Sequence, residues 1–212
     1  MTPAWVVVPV KGFARGKSRL DAALDASRRE ALARQLFTHM MDVLDEGGAP
    51  LAGVLVVTDC DEVARLVRAR GRDALMSTAA LGAAVAEGLA AVAARSDGPA
   101  VVLMADLPHL ARGDVDALID ALADADAAVA PDGQDYGTNG LALAKVSTMP
   151  TAFGTGDSFP RHLAAAERAR VSVAVVRRPG LSFDVDTPAD LARLPSARGA
   201  REPALASRER ER

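Results

Sequence analysis

Nine residues from Lys11 to Arg19, KGFARGKSR, bring four cations and two glycines into one short stretch. Glycine lets a backbone approach a ligand closely, and cations neutralise anionic oxygens, so this stretch suits a phosphate cradle. Lysine is scarce elsewhere: Lys11, Lys17 and Lys145 stand against 22 arginines. A chain that uses arginine for generic positive charge marks its retained lysines as site candidates. Asn139, its sole asparagine, carries the same mark. Asp106, in Asp106-Leu107-Pro108, ends an apolar run and is placed to hold a divalent cation against phosphate oxygens. Asp184 and Asp186 alternate in Asp184-Val185-Asp186, which in extended chain puts both carboxylates on one face. Two acidic groups far apart in sequence are what a Mg²⁺ site for a nucleoside triphosphate needs. Asp190 has a different explanation, because Thr187-Pro188-Ala189-Asp190 forms a helix capping box.

Two further stretches suit an anionic substrate. Gly137-Thr138-Asn139-Gly140 offers backbone N–H groups, a hydroxyl and an amide. Gly154-Thr155-Gly156-Asp157-Ser158 precedes a helical pattern and offers a helix N-terminus. A P-loop competes for the basic stretch, since Gly16-Lys17-Ser18 has the right ending and Val102–Asp106 imitates a Walker B strand. The earlier glycine that a P-loop requires falls on Lys11, however, and Gly12 leaves one residue too few. His39, His109 and His162 lack metal-ligand spacing and read as structural or surface residues.

The elements that must position these groups alternate regularly. Apolar runs at Ala4–Val10, Gly53–Thr58, Ala74–Met76, Ala100–Met104, Ala127–Pro131, Gly140–Lys145 and Val171–Val176 predict strands. Between them, helices are expected over Ser27–Glu46, Asp61–Arg70, Leu81–Arg95, Gly113–Ala123 and Pro160–Arg168, with Ser27 and Glu30 as a capping box for the first. Thr187 is expected to cap a last helix that has Pro188 at its first position. Runs apolar on both faces, separated by helices, predict an α/β fold with a mainly parallel, mixed sheet covered on both faces. Ligands in such sheets bind beyond the carboxyl ends of the strands, and the chemistry-bearing residues fall at those ends.

The whole chain has 212 residues, half of them hydrophobic, a net charge of −3 and a single cysteine, Cys60. One domain over residues 1–195 is expected, followed by a disordered charged tail over 196–212. An aromatic content of 3% and the slight negative charge exclude a base-stacking platform or a general affinity for nucleic acid or membranes. A lone cysteine suits a reducing cytoplasm, and no segment reads as a membrane span or signal peptide.

In order, Val8-Pro9-Val10-Lys11, Gly16-Lys17-Ser18-Arg19-Leu20, Asp106-Leu107-Pro108, Gly137-Thr138-Asn139, Phe153-Gly154…Ser158…His162 and Asp184-Val185-Asp186-Thr187-Pro188 resemble the 2-phospho-L-lactate / phosphoenolpyruvate guanylyltransferases of deazaflavin coenzyme biosynthesis. The resemblance spans residues 4–194 and implies a nucleotide-diphospho-sugar-transferase-like, Rossmann-like fold. It implies GTP and a phosphorylated three-carbon acid as substrates, Mg²⁺ as cofactor and a downstream transferase that takes the product. It would set Lys11, Gly12, Arg15, Lys17, Arg19 and Gly82 on the nucleotide, with Lys17 nearest the reacting phosphate and, with Asp106, catalytic. Asp106, Asp184 and Asp186 would hold the metal, and Thr138, Asn139, Gly154 and Ser158 the acceptor. Two departures stand out. Ala80-Leu81-Gly82 replaces the family's Gly-Leu-Asn, and the Gly154–Ser158 loop is one residue longer than usual. A sugar-phosphate or molybdopterin nucleotidyltransferase and a P-loop NTPase are the alternatives.

Overall fold

Seven strands form one sheet in the order β3-β2-β1-β4-β6-β5-β7 in the computed structural model, which describes residues 2–194. The strands are β1 (Ala4–Val10), β2 (Leu51–Thr58), β3 (Asp73–Met76), β4 (Ala100–Leu103), β5 (Ala127–Pro131), β6 (Thr138–Leu143) and β7 (Val173–Val175). The helices are α1 (Ala26–Asp45), α2 (Asp61–Ala69), α3 (Leu81–Ala93), α4 (Arg112–Asp120), α5 (Ser158–Ala169) and α6 (Pro188–Arg193). Strand pairing is parallel except where β6 runs against β4 and β5. The expected mainly parallel, mixed sheet is therefore present. The boundary expected at residues 195–196 and the tail beyond it lie outside the described residues.

The strands are apolar on both faces because both faces are covered. Val6 and Val8 of β1 pack with Phe37 and Met40 of α1, Val63 of α2 and Leu118 of α4. Val7 packs on the opposite face with Val85 and Leu89 of α3, and Phe159 of α5 lies in the same cluster. All three valines are fully buried, and each contributes on the order of 2 kcal/mol of hydrophobic stabilisation.

Two local expectations need correction. The cap of α1 is Asp25, whose carboxylate accepts the Arg28 N–H at 2.8 Å, not Ser27. The helix starts one residue earlier than its apolar period suggests, so Glu30 faces Arg34 at 3.2 Å instead of reaching back to a cap. The second correction concerns β6, which begins at Thr138 rather than Gly140. Its first residues are polar but belong to the ladder: Thr138 pairs with Pro131, and the Asn139 carbonyl accepts the Met104 N–H. The turn before them is closed by Asp132, whose carboxylate accepts the N–H groups of Gln134, Tyr136 and Gly137. Gly137 thus has no free N–H for a substrate, contrary to the anion-binding turn expected there.

Candidate active site

The chain leaves β1 at Val10 and makes two 3₁₀ turns, Phe13–Arg15 and Ser18–Leu20, entering α1 only at Ala26. A P-loop runs its Gly-Lys-Ser directly into a helix, so this is a different device. Between the two turns Lys17 adopts a left-handed backbone with φ 57°, uncommon for a residue with a Cβ. That conformation accompanies an inward side chain. The Lys17 ammonium donates to Asp106 Oδ2 at 2.6 Å and to Asp186 Oδ1 at 3.0 Å. Arg19, on the exposed rim, adds a 3.2 Å contact to Asp186. Burial alone would depress the lysine's pKa, but the charges and hydrogen bonds of Asp106 and Asp186 outweigh it and raise it.

Asp106 sits just past β4, and the Val185 N–H binds its backbone carbonyl at 3.2 Å, which joins the 184–186 segment to the strand end. One carboxylate oxygen from each of Asp106, Asp184 and Asp186 lies within 4.8 Å of the others. Asp184 is pushed up to about 6, mainly by burial and next by the negative charge of Asp106, against the lowering effect of its hydrogen bond from Asn139. Asp106 Oδ1 is buried without a hydrogen-bond partner. Three converging carboxylates, one with an unsatisfied buried oxygen and one resisting ionisation, form a donor set that fits a hard divalent cation.

A cavity of about 410 Å³ opens beside this cluster, between the carboxyl ends of β1, β2 and β4. Lys11, Lys17, Arg19, Asp106 and Asp186 line it, as do Asp59 and Ser77. Gly12 and Arg15, both expected on the nucleotide, contact Asp59. The Gly12 N–H donates to Asp59 Oδ1 at 2.8 Å, and Arg15, its side chain largely exposed, pairs with Asp59 Oδ2 at 2.9 Å. Both therefore shape the loop through Asp59, a residue that no sequence signal singled out beyond its place at the end of β2.

Gly82, also expected on the nucleotide, lies against the chain at Phe153. A Cβ there would come within 2.5 Å of the Phe153 carbonyl, and one on Gly154 would lie 3.1 Å from the Gly82 nitrogen. The start of α3 thus packs directly on the loop that carries Gly154, which has a φ of 88° that favours glycine. The two departures from the family pattern meet in a single backbone contact.

The remaining candidates flank the carboxylates through β6. Asn139 is buried, and its amide donates to the Leu181 carbonyl at 2.9 Å and to Asp184 Oδ1 at 3.2 Å. Its side chain orients a carboxylate. Thr138 is buried next to it, with Oγ1 2.9 Å from Nδ1 of His162 on α5. The other ring nitrogen of His162 accepts the Ala152 N–H at 2.9 Å, just before Gly154, and Ser158 is the buried first residue of the same helix. Thr138, the Gly154 loop and Ser158 therefore gather around His162, which spacing alone had assigned a structural or surface role.

Burial pushes the pKa of His162 down to about 4 from 6.5. A depressed value means that stability present above pH 6.5 is lost as the pH falls toward 4, because the unfolded chain takes up the proton first. The full loss is on the order of 3 kcal/mol. Denaturant unfolding at pH 8 and pH 4.5 should show wild type losing more stability than His162→Gln. An equal loss in both would contradict this assignment.

Residues 4–196 match the family model described as Guanylyl transferase CofC like. The chain is 39% identical over 197 residues to a phosphoenolpyruvate guanylyltransferase of Rubrobacter xylanophilus, covering 92% of this chain and 95% of that protein. It is 34% identical to a 3-phospho-D-glycerate guanylyltransferase of Phenylobacterium zucineum, covering 88% and 87%. In fold, it is similar to a solved protein of Desulfovibrio desulfuricans assigned as a nucleotide-diphospho-sugar transferase, with a TM-score of 0.75 at 20% identity over 90% of this chain and 85% of that one. Among the described residues no helix is long and apolar enough to cross a membrane. The ordered motifs, the lysine-carboxylate cluster at the strand ends and the match over almost the full length have one common explanation: the chain belongs to the CofC-like guanylyl transferase family.

Proposed function

We propose that this protein transfers the guanylyl group of GTP to a phosphorylated three-carbon acid, with phosphoenolpyruvate as the favoured acceptor, and releases pyrophosphate. The observation that carries this reading is the contact of one half-buried lysine with two carboxylates at the mouth of a cavity large enough for a nucleotide. In this reading a phosphate oxygen of the acceptor attacks the α-phosphorus of GTP in line. A P–O–P anhydride forms, the bond to the β-phosphate oxygen breaks, and its electrons leave with pyrophosphate. The attacking phosphate is already an anion, so the protein supplies no general base; it positions and neutralises.

Lys11, Lys17 and Arg19 face the triphosphate, and Lys17 offsets the charge that grows on the leaving pyrophosphate. Asp106, Asp184 and Asp186 hold Mg²⁺, whose contribution when bound is to neutralise phosphate oxygens at the reacting centre. Thr138, Gly154 and Ser158 take the acceptor, while Asn139 keeps Asp184 turned toward the metal. The product passes to a downstream transferase in deazaflavin coenzyme assembly, and the reaction takes place in the cytoplasm. The name of the Rubrobacter relative, at 39% identity, supports phosphoenolpyruvate over 3-phospho-D-glycerate.

Competition decides the acceptor. Limiting GTP with Mg²⁺ and equal phosphoenolpyruvate, 2-phospho-L-lactate and 3-phospho-D-glycerate should yield mainly the guanylylated enol acid by mass, with equimolar pyrophosphate. Orthophosphate release, or product formed only from a sugar phosphate, refutes the proposal. The acceptor pocket has its own test. Thr138→Val keeps the shape but removes a hydroxyl from a buried anion, which should cost roughly 1.5–3 kcal/mol, or about 10- to 150-fold in kcat/KM for the acceptor. Affinity for GTP without acceptor should not change, and Thr138→Ser should restore most of the loss.

A further inference from the structure

We propose that His162 is a positioning residue of the acceptor site, holding Thr138 so that its hydroxyl hydrogen is offered to the acceptor's anionic group. The proposal rests on the reading of Thr138 as an acceptor ligand. The Ala152 N–H can only donate, so Nε2 of His162, 2.9 Å away, accepts and carries no hydrogen. A neutral imidazole then bears its one hydrogen on Nδ1. Burial favours that neutral form, with the pKa pushed down to about 4.

Thr138 Oγ1 lies 2.9 Å from Nδ1, so the threonine accepts there and cannot direct its own hydrogen at the ring. Among the described residues the hydroxyl makes no other hydrogen bond. Among the described residues it is a donor without a partner, at the start of β6, one residue from the asparagine that binds Asp184. The ring has little freedom to turn over. It is 1% exposed, Phe153 stands edge-on to it at 4.9 Å between centroids, and the Ser158 carbonyl faces it from one helical turn earlier. The Ala152 bond is a further restraint on the ring's orientation.

Two substitutions separate the two ring nitrogens. Glutamine places an oxygen near the position of Nε2, keeping an acceptor for Ala152, but supplies no donor at the position of Nδ1. Thr138 is then left with no donor to fix which way its hydroxyl hydrogen points. Asparagine places its amide nitrogen near Nδ1, keeping the donor to Thr138 and giving up the Ala152 bond. With GTP and phosphoenolpyruvate, H162Q should raise the KM for the phospho-acid about tenfold with little change in kcat or in the KM for GTP. H162N should stay within about threefold of wild type. In a Thr138→Val background, H162Q should add nothing further.

Equal effects of H162Q and H162N on the acceptor KM, or no effect of H162Q, overturn the positioning role while Thr138→Val still shows its own loss. If Thr138→Val leaves acceptor use unchanged, the acceptor-site reading itself has failed, and this proposal with it. The tautomer can be read without any variant: ¹⁵N NMR of the histidine-labelled wild-type protein should show the His162 hydrogen on Nδ1. A hydrogen on Nε2 overturns the proposal even if neither variant folds.

Discussion

Asp106→Asn should remove nearly all turnover, lowering kcat by on the order of 10²-fold or more at saturating GTP, acceptor and Mg²⁺. The carboxylate has two roles that an amide cannot fill. Its Oδ2 accepts from the Lys17 ammonium at 2.6 Å, and its Oδ1 is buried with no partner, as suits a metal ligand. The fold should not suffer. Lys17 keeps its bond to Asp186, and removing one of three crowded negative charges relieves Asp184, whose pKa is pushed up by burial first and by the charge of Asp106 next. The melting temperature should therefore stay within a few degrees of wild type. Steady-state kinetics with a pyrophosphate-coupled assay, beside a thermal melt, separates the two effects. Near-normal kcat would place Asp106 outside the reaction centre.

Lys17→Ala should have a comparable effect by a different route. The half-buried ammonium pairs with Asp106 and Asp186, and in the proposed reaction it faces charge that accumulates on departing pyrophosphate. A preorganised donor of this kind is worth about 10²- to 10³-fold in kcat, with a smaller change in the KM for GTP. Lys17→Arg should not restore full activity, because a planar fork cannot replace a compact charge between two carboxylates. Stability should fall as well, since breaking a mostly buried pair leaves uncompensated charge. Added Mg²⁺ should therefore raise the melting temperature of Lys17→Ala more than that of wild type. A variant that only binds GTP more weakly, with kcat intact, would make Lys17 a ground-state ligand.

The architecture was legible because it rests on runs of apolar residues. The fully apolar β1 has the bounds that its sequence predicts, Ala4–Val10, and the two-sided burial of Val6, Val7 and Val8 explains why that run lacks alternation. Asp184-Val185-Asp186 showed its paired carboxylates through period-two spacing. What stayed hidden depends on partners far away in the chain. Asn139 looked like a substrate amide because its bond to Asp184 joins residues 45 apart. Gly12 looked available to a phosphate because Asp59, 47 residues on, takes its N–H. His162 had no metal-ligand spacing to mark it, and its role follows from two ring contacts that only folding creates. The start of β6 was misplaced because a threonine and an asparagine do not resemble strand residues until a neighbouring strand is beside them.

The reversed direction of β6 has a consequence for how such a protein diversifies. Because β6 alone runs against its neighbours, its first residues rather than its last reach the rim where β1, β2 and β4 end. The chain before α4 carries the basic loop and the cavity lining apart from Asp186, and the later part carries Thr138, Gly154 and Ser158. The halves meet at the carboxylates, through Asn139 and the Val185 tie to Asp106. Substitutions around the β5–β6 turn and the α5 entrance can then retune which small anion is accepted while leaving the triphosphate grip untouched. Exchanging residues 132–162 between this protein and its 3-phospho-D-glycerate-named relative should carry acceptor choice across with the segment and leave nucleotide choice behind.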